Sequence, residues 1–174
     1  GTPLLNRALQ GRYAPGSVFK PVVGTAGLSA GVITPDTSFN CTRTYGRFTN
    51  HPFTCMFHHG PINLSRALKL SCNIFFYETG MYAGIDKVDL TAKQYGLGEP
   101  TGIDLPEQTG QRSNPETFAA IKDEKWSDGN VLQSSIGQLV AEYTPLQLAN
   151  YAATIANRGT RMKATSAREI RDYG

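Results

Sequence analysis

The stretch Tyr13-Ala14-Pro15-Gly16-Ser17-Val18-Phe19-Lys20-Pro21 places a serine and a lysine three residues apart. The proline and glycine before the serine predict a sharp turn, and the small and apolar residues after the lysine predict a buried helix that ends at Gly31. Because residues i and i+3 of a helix share one face, the Lys20 amine is expected within hydrogen-bond reach of the Ser17 hydroxyl. A serine beside a lysine base is the minimum arrangement for an activated nucleophile.

A Ser-x-x-Lys pattern is weak evidence when it stands alone. In the alternative interpretation, Ser17 is the N-cap of the helix and Lys20 is a solvated side chain. The choice between the two therefore depends on the other motifs along the chain.

Composition and charge exclude several classes of protein. With 174 residues, of which 40% are hydrophobic and 18% charged, the chain is typical of one globular domain with a sizeable core. The net charge of +3 is spread without long basic runs, so nucleic acid is not expected as a partner. The longest weakly polar stretch, 22–33, is shorter than the ~20 residues that span a bilayer and contains three glycines, so no transmembrane helix is predicted.

The three cysteines, Cys41, Cys55 and Cys72, cannot all pair with one another, so at most one disulfide within the chain is possible. Turn residues between short aromatic runs predict a β-hairpin that brings Cys41 opposite Cys55. The segment 39–59 also contains three histidines and could be taken for a metal cluster. It lacks the close Cys-x-x-Cys pair on which strong zinc predictions rest, so no metal ligand is assigned.

The rest of the chain predicts further helices joined by polar connections. Asn63 is the expected cap of a short helix that breaks at Ser71-Cys72-Asn73, and Gly84 ends the apolar helix that follows. The stretch 99–115 is rich in Gly, Pro, Thr and Gln and is expected to be an extended loop on the surface. The last residues, 167–174, alternate between apolar and polar as a strand does. The helices predicted after the hairpin are 64–70, 74–83, 86–95, 128–137 and 144–157.

Four motifs follow one another along the chain. They are the stretch 13–21, Ser71-Cys72-Asn73 with Phe75-Phe76-Tyr77 after it, Ser135-Ile136-Gly137-Gln138, and Thr144-Pro145-Leu146-Gln147-Leu148-Ala149. In order and context they resemble the transpeptidase domain of penicillin-binding proteins. The stretch 55–77 resembles most the class B, elongation-type enzymes, and the resemblance spans essentially the whole chain.

The resemblance implies an α+β fold, of which residues 1–174 would be part of one domain. They would form the mostly helical part of a penicillin-binding protein or serine β-lactamase-like transpeptidase fold, with a small β-hairpin. Such domains carry a third motif, Lys-Thr-Gly or Lys-Ser-Gly, which this chain lacks; Lys163-Ala164-Thr165 has the wrong order and no glycine. The chain, which has no initiator methionine, is therefore interpreted as truncated before that motif, with most of the central antiparallel sheet missing.

Two consequences of the missing motif are expected. The motif would supply one donor of the oxyanion hole, and losing one such donor costs roughly 10²- to 10³-fold in rate. This chain alone is therefore expected to react with β-lactams slowly or not at all. Without the missing strands, the apolar faces of the helices would lie uncovered, which predicts self-association.

The function implied by the resemblance is that of a D,D-transpeptidase that cross-links peptidoglycan outside the cytoplasmic membrane. Its partners would be stem peptides ending in D-Ala-D-Ala and β-lactam antibiotics; no cofactor is implied, and membrane contact would come only through a segment absent from this chain. Ser17 would attack the substrate carbonyl to form an acyl-enzyme, and Lys20 would take the serine proton. Ser71 would relay the proton to the leaving group, and Asn73 would orient Lys20 and hold the substrate backbone.

Three other interpretations stay open at the level of sequence. A serine β-lactamase or a β-lactam-sensor domain uses the same Ser-x-x-Lys chemistry, but no residue stands out as a deacylation base, and Glu78 is expected to face solvent or to cap a turn. A fragment with an inert Ser17 would be a structural or interaction module. A zinc-binding module is the third alternative.

Overall fold

The computed structural model describes residues 6–48 and 52–166. Helices dominate this part of the chain, and one pair of short strands accompanies them. The strands are β1 (Ser38–Cys41) and β2 (Gly60–Asn63). The helices are α1 (Arg7–Gln10), a 3-10 turn (Gly16–Phe19), α2 (Lys20–Ser29), α3 (Leu64–Leu70), α4 (Asn73–Ala83), α5 (Ile85–Gln94), α6 (Pro115–Ile121), α7 (Asp128–Ser135) and α8 (Pro145–Ala156).

The predicted hairpin is present, but its register differs from the predicted one. Strands β1 and β2 pair antiparallel, with Cys41 opposite Gly60 rather than Cys55. Between them the chain folds back a second time at an isolated bridge between Thr44 and Thr54, where the Cys55 N–H donates to the Arg43 carbonyl (2.7 Å). The sulfur atoms of Cys41 and Cys55 nevertheless lie within 4.8 Å of each other.

Helix α4 lies at the centre of the described core. It packs against α2, α5, α7 and β1, and its first turn buries the aromatic residues Phe75, Phe76 and Tyr77. Val22 and Val23 of helix α2 are both fully buried, and Val23 lies against Gly80 of α4. Both helices are apolar on most sides, because each is covered by neighbours on several sides rather than on one.

The predicted helices are confirmed with small shifts at their ends. Asn63 caps α3 by accepting a hydrogen bond from the Arg66 N–H, and Thr144 caps α8 through the Gln147 N–H. Helix α2, expected to begin at Ser17, opens with a 3-10 turn instead and becomes α-helical at Lys20.

Two elements of the structure were missed at the level of sequence. The short helices α1 and α6 have only four and seven residues, which is too few for an apolar periodicity to be recognised. The segment between α5 and α6 is a loop, as predicted, but it is not wholly a surface loop: Thr101 and Ser113 are buried. The strand predicted for 167–174 lies outside the described residues.

None of the described helices combines the length and the apolar character that crossing a membrane requires.

Candidate active site

The serine of the opening motif is presented on a tightly held turn. Ser17 is exposed, whereas Lys20, three residues later, is only 2% exposed. The turn is fixed from two sides, because the Gly16 N–H donates to the Gly137 carbonyl (2.9 Å) and the Tyr151 hydroxyl donates to the Val18 carbonyl (2.9 Å). The nucleophile candidate therefore faces solvent while its supporting helix runs into the core.

The Ser71-Cys72-Asn73 motif occupies the junction between α3 and α4. Ser71 has left-handed backbone angles (φ 54°, ψ 43°), which end α3, and Asn73 is the first residue of α4. The junction turns the side chains of Ser71 and Asn73 toward the start of α2. The two motifs, 51 or more residues apart in sequence, thus meet in one place.

A chain of hydrogen bonds joins the four predicted site residues. The Lys20 Nζ donates to the Ser71 carbonyl oxygen (2.8 Å), to Ser71 Oγ (2.8 Å) and to Asn73 Oδ1 (2.7 Å). Ser71 Oγ in turn donates to Ser17 Oγ (2.9 Å). In the described structure, the Ser17 hydroxyl therefore accepts its hydrogen bond from Ser71. The direct contact that was expected between Ser17 and the Lys20 amine is replaced by a connection through Ser71.

Burial sets the proton affinity of the lysine. Removal from water lowers the pKa of Lys20 to about 8, and the nearby sulfurs of Cys55 and Cys72 oppose that shift. The three oxygen acceptors use all three N–H groups of the ammonium form, which also lies 5.8 Å from the centre of the Phe76 ring. The resting amine is therefore well held as the cation but can lose its proton near neutral pH.

The side chain of Asn73 has a defined orientation. Its Oδ1 accepts from the Lys20 ammonium, which has no acceptor to offer, so the opposite amide assignment would place two donors together. Its Nδ2 donates to the Thr54 carbonyl (3.0 Å). The amide thus links the lysine to the hairpin loop.

A cluster of possible metal ligands lies directly behind this site. The ligand atoms of Cys41, Cys55, His59 and Cys72 all lie within 4.8 Å of one another, and all three cysteines are buried free thiols. His59 Nδ1 is 3.4 Å from Cys41 Sγ and 3.6 Å from Cys55 Sγ. Three thiols and one imidazole make up a set that suits a tetrahedral Zn²⁺.

The sequence analysis considered Cys41, Cys55 and His59 as part of a possible metal cluster but assigned no ligand, because the close cysteine pair was lacking. Its fourth member, Cys72, belongs to the Ser-Cys-Asn motif and was assigned no role of its own. The disulfide that the sequence left open between Cys41 and Cys55 is not formed in this structure. The signal available in the sequence was the joint presence of Cys41, Cys55 and His59 in one predicted hairpin.

The motif Ser135-Ile136-Gly137-Gln138 packs against the turn that carries Ser17. Ser135 is fully buried and Gly137 lies against Gly16, so this motif packs under the serine turn. Glu78 was expected to face solvent or to cap a turn, and this was wrong: its side chain is 20% exposed and pairs with Arg47 (3.1 Å). Its carboxylate is thus engaged by a guanidinium.

Fold and site together define a protein of the Ser-x-x-Lys and Ser-x-Asn class. The sequence profile of the penicillin-binding protein transpeptidase domain matches residues 1–173. The chain belongs to this family.

Similar proteins extend the comparison. The peptidoglycan D,D-transpeptidase MrdA of Acinetobacter baumannii is 36% identical over 92% of this chain and 24% of its own length. MrdA of Escherichia coli is 34% identical over 91% of this chain and 26% of its own length. These names confirm the resemblance to the elongation-type enzymes. The chain spans about a quarter of the length of these curated relatives.

Solved structures agree with the fold. The complex of penicillin-binding protein PBP2 with MreC from Helicobacter pylori matches with a TM-score of 0.88 and 33% identity, covering 94% of this chain and 31% of that chain. Pseudomonas aeruginosa PBP2 in complex with WCK 5153 matches with a TM-score of 0.87 and 32% identity, covering 94% and 38%. The mostly helical, partial α+β fold predicted from the sequence is confirmed.

Proposed function

We propose that the protein containing this chain is a peptidoglycan D,D-transpeptidase that acts through an acyl-enzyme on Ser17, on the outer side of the cytoplasmic membrane. The observation that carries the proposal is the hydrogen-bond chain from buried Lys20 through Ser71 to exposed Ser17. Family membership and the names of the relatives support the reaction class.

The first half of the reaction follows from this chain of hydrogen bonds. Once Lys20 is neutral, Ser71 can pass its proton to the amine and accept the proton of Ser17, whose Oγ then attacks the carbonyl of the penultimate D-alanine. The C–N bond breaks, and the leaving D-alanine amine takes a proton back through the same two groups. The Ser17 N–H, in the first turn of its helix, is available as one donor to the oxyanion.

The second half transfers the acyl group to an amine of another stem peptide. Ser71 and Lys20 can take the proton of that amine by the same route. Glu78 was the one carboxylate considered as a base that could activate water. Its carboxylate is paired with Arg47. This favours transfer to an amine over hydrolysis, and a transpeptidase over a β-lactamase.

The missing third motif limits what this chain does by itself. No Lys-Thr-Gly or Lys-Ser-Gly occurs in the 174 residues, so one substrate-carboxylate site and one oxyanion donor are not supplied. We propose that the chain alone forms an acyl-enzyme at least roughly 10²-fold more slowly than the full-length protein.

Mass spectrometry of the intact protein with benzylpenicillin tests the proposal. We expect the full-length protein to gain one penicilloyl group, mapped to Ser17, and Ser17→Ala to abolish the adduct. Ser29→Ala is the matched control, because Ser29 is an exposed serine at the end of α2. No adduct on the folded full-length protein, or an adduct on another residue, would overturn the proposal, and steady turnover of a chromogenic cephalosporin would favour the β-lactamase alternative.

A further inference from the structure

The hairpin loop holds Asn73 at two points. The backbone N–H of Asn73 donates to Cys55 Sγ (3.4 Å), and its side-chain Nδ2 donates to the carbonyl of Thr54 (3.0 Å). The two acceptors belong to adjacent residues. One short piece of loop therefore fixes both the backbone and the amide of a residue that contacts Lys20.

The loop is itself fixed at these residues. The Cys55 N–H donates to the Arg43 carbonyl (2.7 Å), and the Tyr45 N–H donates to the Phe53 carbonyl (2.8 Å). In a trans peptide the N–H and C=O point in opposite directions, so the bond from Cys55 to Arg43 aims the Thr54 carbonyl the other way, toward Asn73. The acceptors are thus in place independently of Asn73.

The sulfur also completes the start of α4. The first N–H groups of a helix need partners from outside the helix, and a side chain at the N-cap usually supplies one. The N-cap of α4 is Cys72, which makes no such hydrogen bond. Cys55 Sγ takes over this role from a different part of the chain, and Cys55 is only 3% exposed.

We propose that Cys55 is a positioning residue for acyl transfer: by accepting the Asn73 N–H, it sets the start of α4 so that the Asn73 amide meets Lys20. The inference rests on the proposed function. This role can be separated from a general structural role of the cysteine cluster. The cluster has another member that makes no hydrogen bond to Asn73 in the described structure.

Cys41 is that matched control. It is as deeply buried as Cys55 and contacts the same His59 nitrogen, but its own thiol hydrogen bond goes to the Phe57 carbonyl. Cys41→Ala and Cys55→Ala therefore damage the cluster alike. Only Cys55→Ala removes the acceptor from Asn73, whereas Cys55→Ser keeps an acceptor there.

The test measures acylation of the full-length protein by a fluorescent penicillin, resolving the binding constant from the first-order acylation rate. We expect Cys55→Ala to lower the acylation rate about tenfold, the effect of one lost hydrogen bond, with binding little changed. Cys41→Ala should lose as much thermal stability as Cys55→Ala but clearly less of the acylation rate, because it damages the cluster without removing the acceptor of the Asn73 N–H. Cys55→Ser should recover most of the rate.

Equal loss of acylation rate in Cys41→Ala and Cys55→Ala, or no recovery in Cys55→Ser, would overturn the inference. If Cys55→Ala does not fold, the isosteric pair Cys55→Val and Cys55→Thr decides in the same way, because only threonine offers an acceptor. A parent protein that forms no adduct on Ser17 would refute the proposed function instead, so the two failures are distinct.

Discussion

At the scale of the residue, the site depends on the balance between two states of one amine. Lys20 is held by three oxygens that suit its ammonium form, while burial lowers its pKa to about 8. The hydrogen bonds keep the nitrogen in place, and the dry surroundings make the proton easy to remove. The lysine is thereby an anchor for Ser71 and Asn73, and in the proposed function it is also the base.

The pH dependence of acylation follows from this balance. Because the neutral amine is the proposed base, the acylation rate should rise with pH, about tenfold per unit well below the pKa of Lys20, and level off above about 8. Stopped-flow acylation by benzylpenicillin over pH 6 to 10 in the full-length protein measures it. Lys20→Arg should lose the reaction at every pH, because a guanidinium does not deprotonate. A flat profile through pH 8 would contradict the assignment.

The relay through Ser71 gives a second prediction. Ser71→Gly removes the hydroxyl yet suits the left-handed backbone at this position (φ 54°). We expect acylation to fall by roughly 10²- to 10⁴-fold, the usual contribution of a proton-transfer group, with little loss of thermal stability. A direct proton transfer from Ser17 to Lys20 would instead leave the rate of Ser71→Gly nearly unchanged.

At the scale of the element, most helices could be predicted because their ends carry chemical signals. Asn63, Gly84 and Thr144 each mark a boundary that the structure confirms to within a residue or two. Helix α6 carried a similar signal, Asn114 before a proline, but the predicted loop was ended at residue 115 and no element was predicted for 116–121. The local end signal was therefore available there and was not used.

Residues of the candidate site could be predicted only where a sequence motif contained them. Ser17, Lys20, Ser71 and Asn73 come together as the motifs indicated. The metal-ligand cluster draws on β1, the hairpin loop and the junction before α4, and only tertiary packing brings these together. A spacing rule within one segment would find at most three of the four residues, because Cys72 lies outside the hairpin.

The turn under Ser17 yields a prediction about packing. Gly137 has φ 72°, and a Cβ there would lie 2.8 Å from the Gly16 nitrogen. Gly137→Ala should therefore displace the serine turn and lower both thermal stability and the acylation rate. Gly31→Ala is the matched control, with φ 70° and nothing within 4 Å, so it should cost only the ~1–2 kcal/mol of a left-handed alanine and leave acylation unchanged. Equal effects on acylation would contradict this view of the turn.

The cysteine cluster predicts a metal dependence of folding. If Cys41, Cys55, His59 and Cys72 hold Zn²⁺, the purified full-length protein should contain about one equivalent, because this donor set closes a tetrahedral structural site. A strong chelator should lower the melting temperature, and added Zn²⁺ should restore it. His59→Ala should remove both the metal and the chelator effect. Metal-free protein whose melting temperature ignores Zn²⁺ would refute the prediction.

At the scale of the whole molecule, the described chain leaves much apolar surface in contact with water. The sheet has two strands, and such a hairpin is stable only when it packs on something larger. Large hydrophobic side chains on several elements are exposed, among them Leu28, Leu68 and Ile155. The Acinetobacter relative is a longer protein, because this chain covers only 24% of its length.

Self-association of the isolated chain is the resulting prediction. The 174-residue chain should form concentration-dependent oligomers, because association removes exposed large hydrophobic side chains from water. Multi-angle light scattering across a hundredfold range of concentration, beside the full-length protein, measures this. Leu28→Lys and Ile155→Lys, which place charge on exposed positions of α2 and α8, should shift the isolated chain toward monomer without unfolding it. A clean monomer at the highest concentration would contradict the prediction. It would show that the exposed hydrophobic side chains of the isolated chain do not drive association.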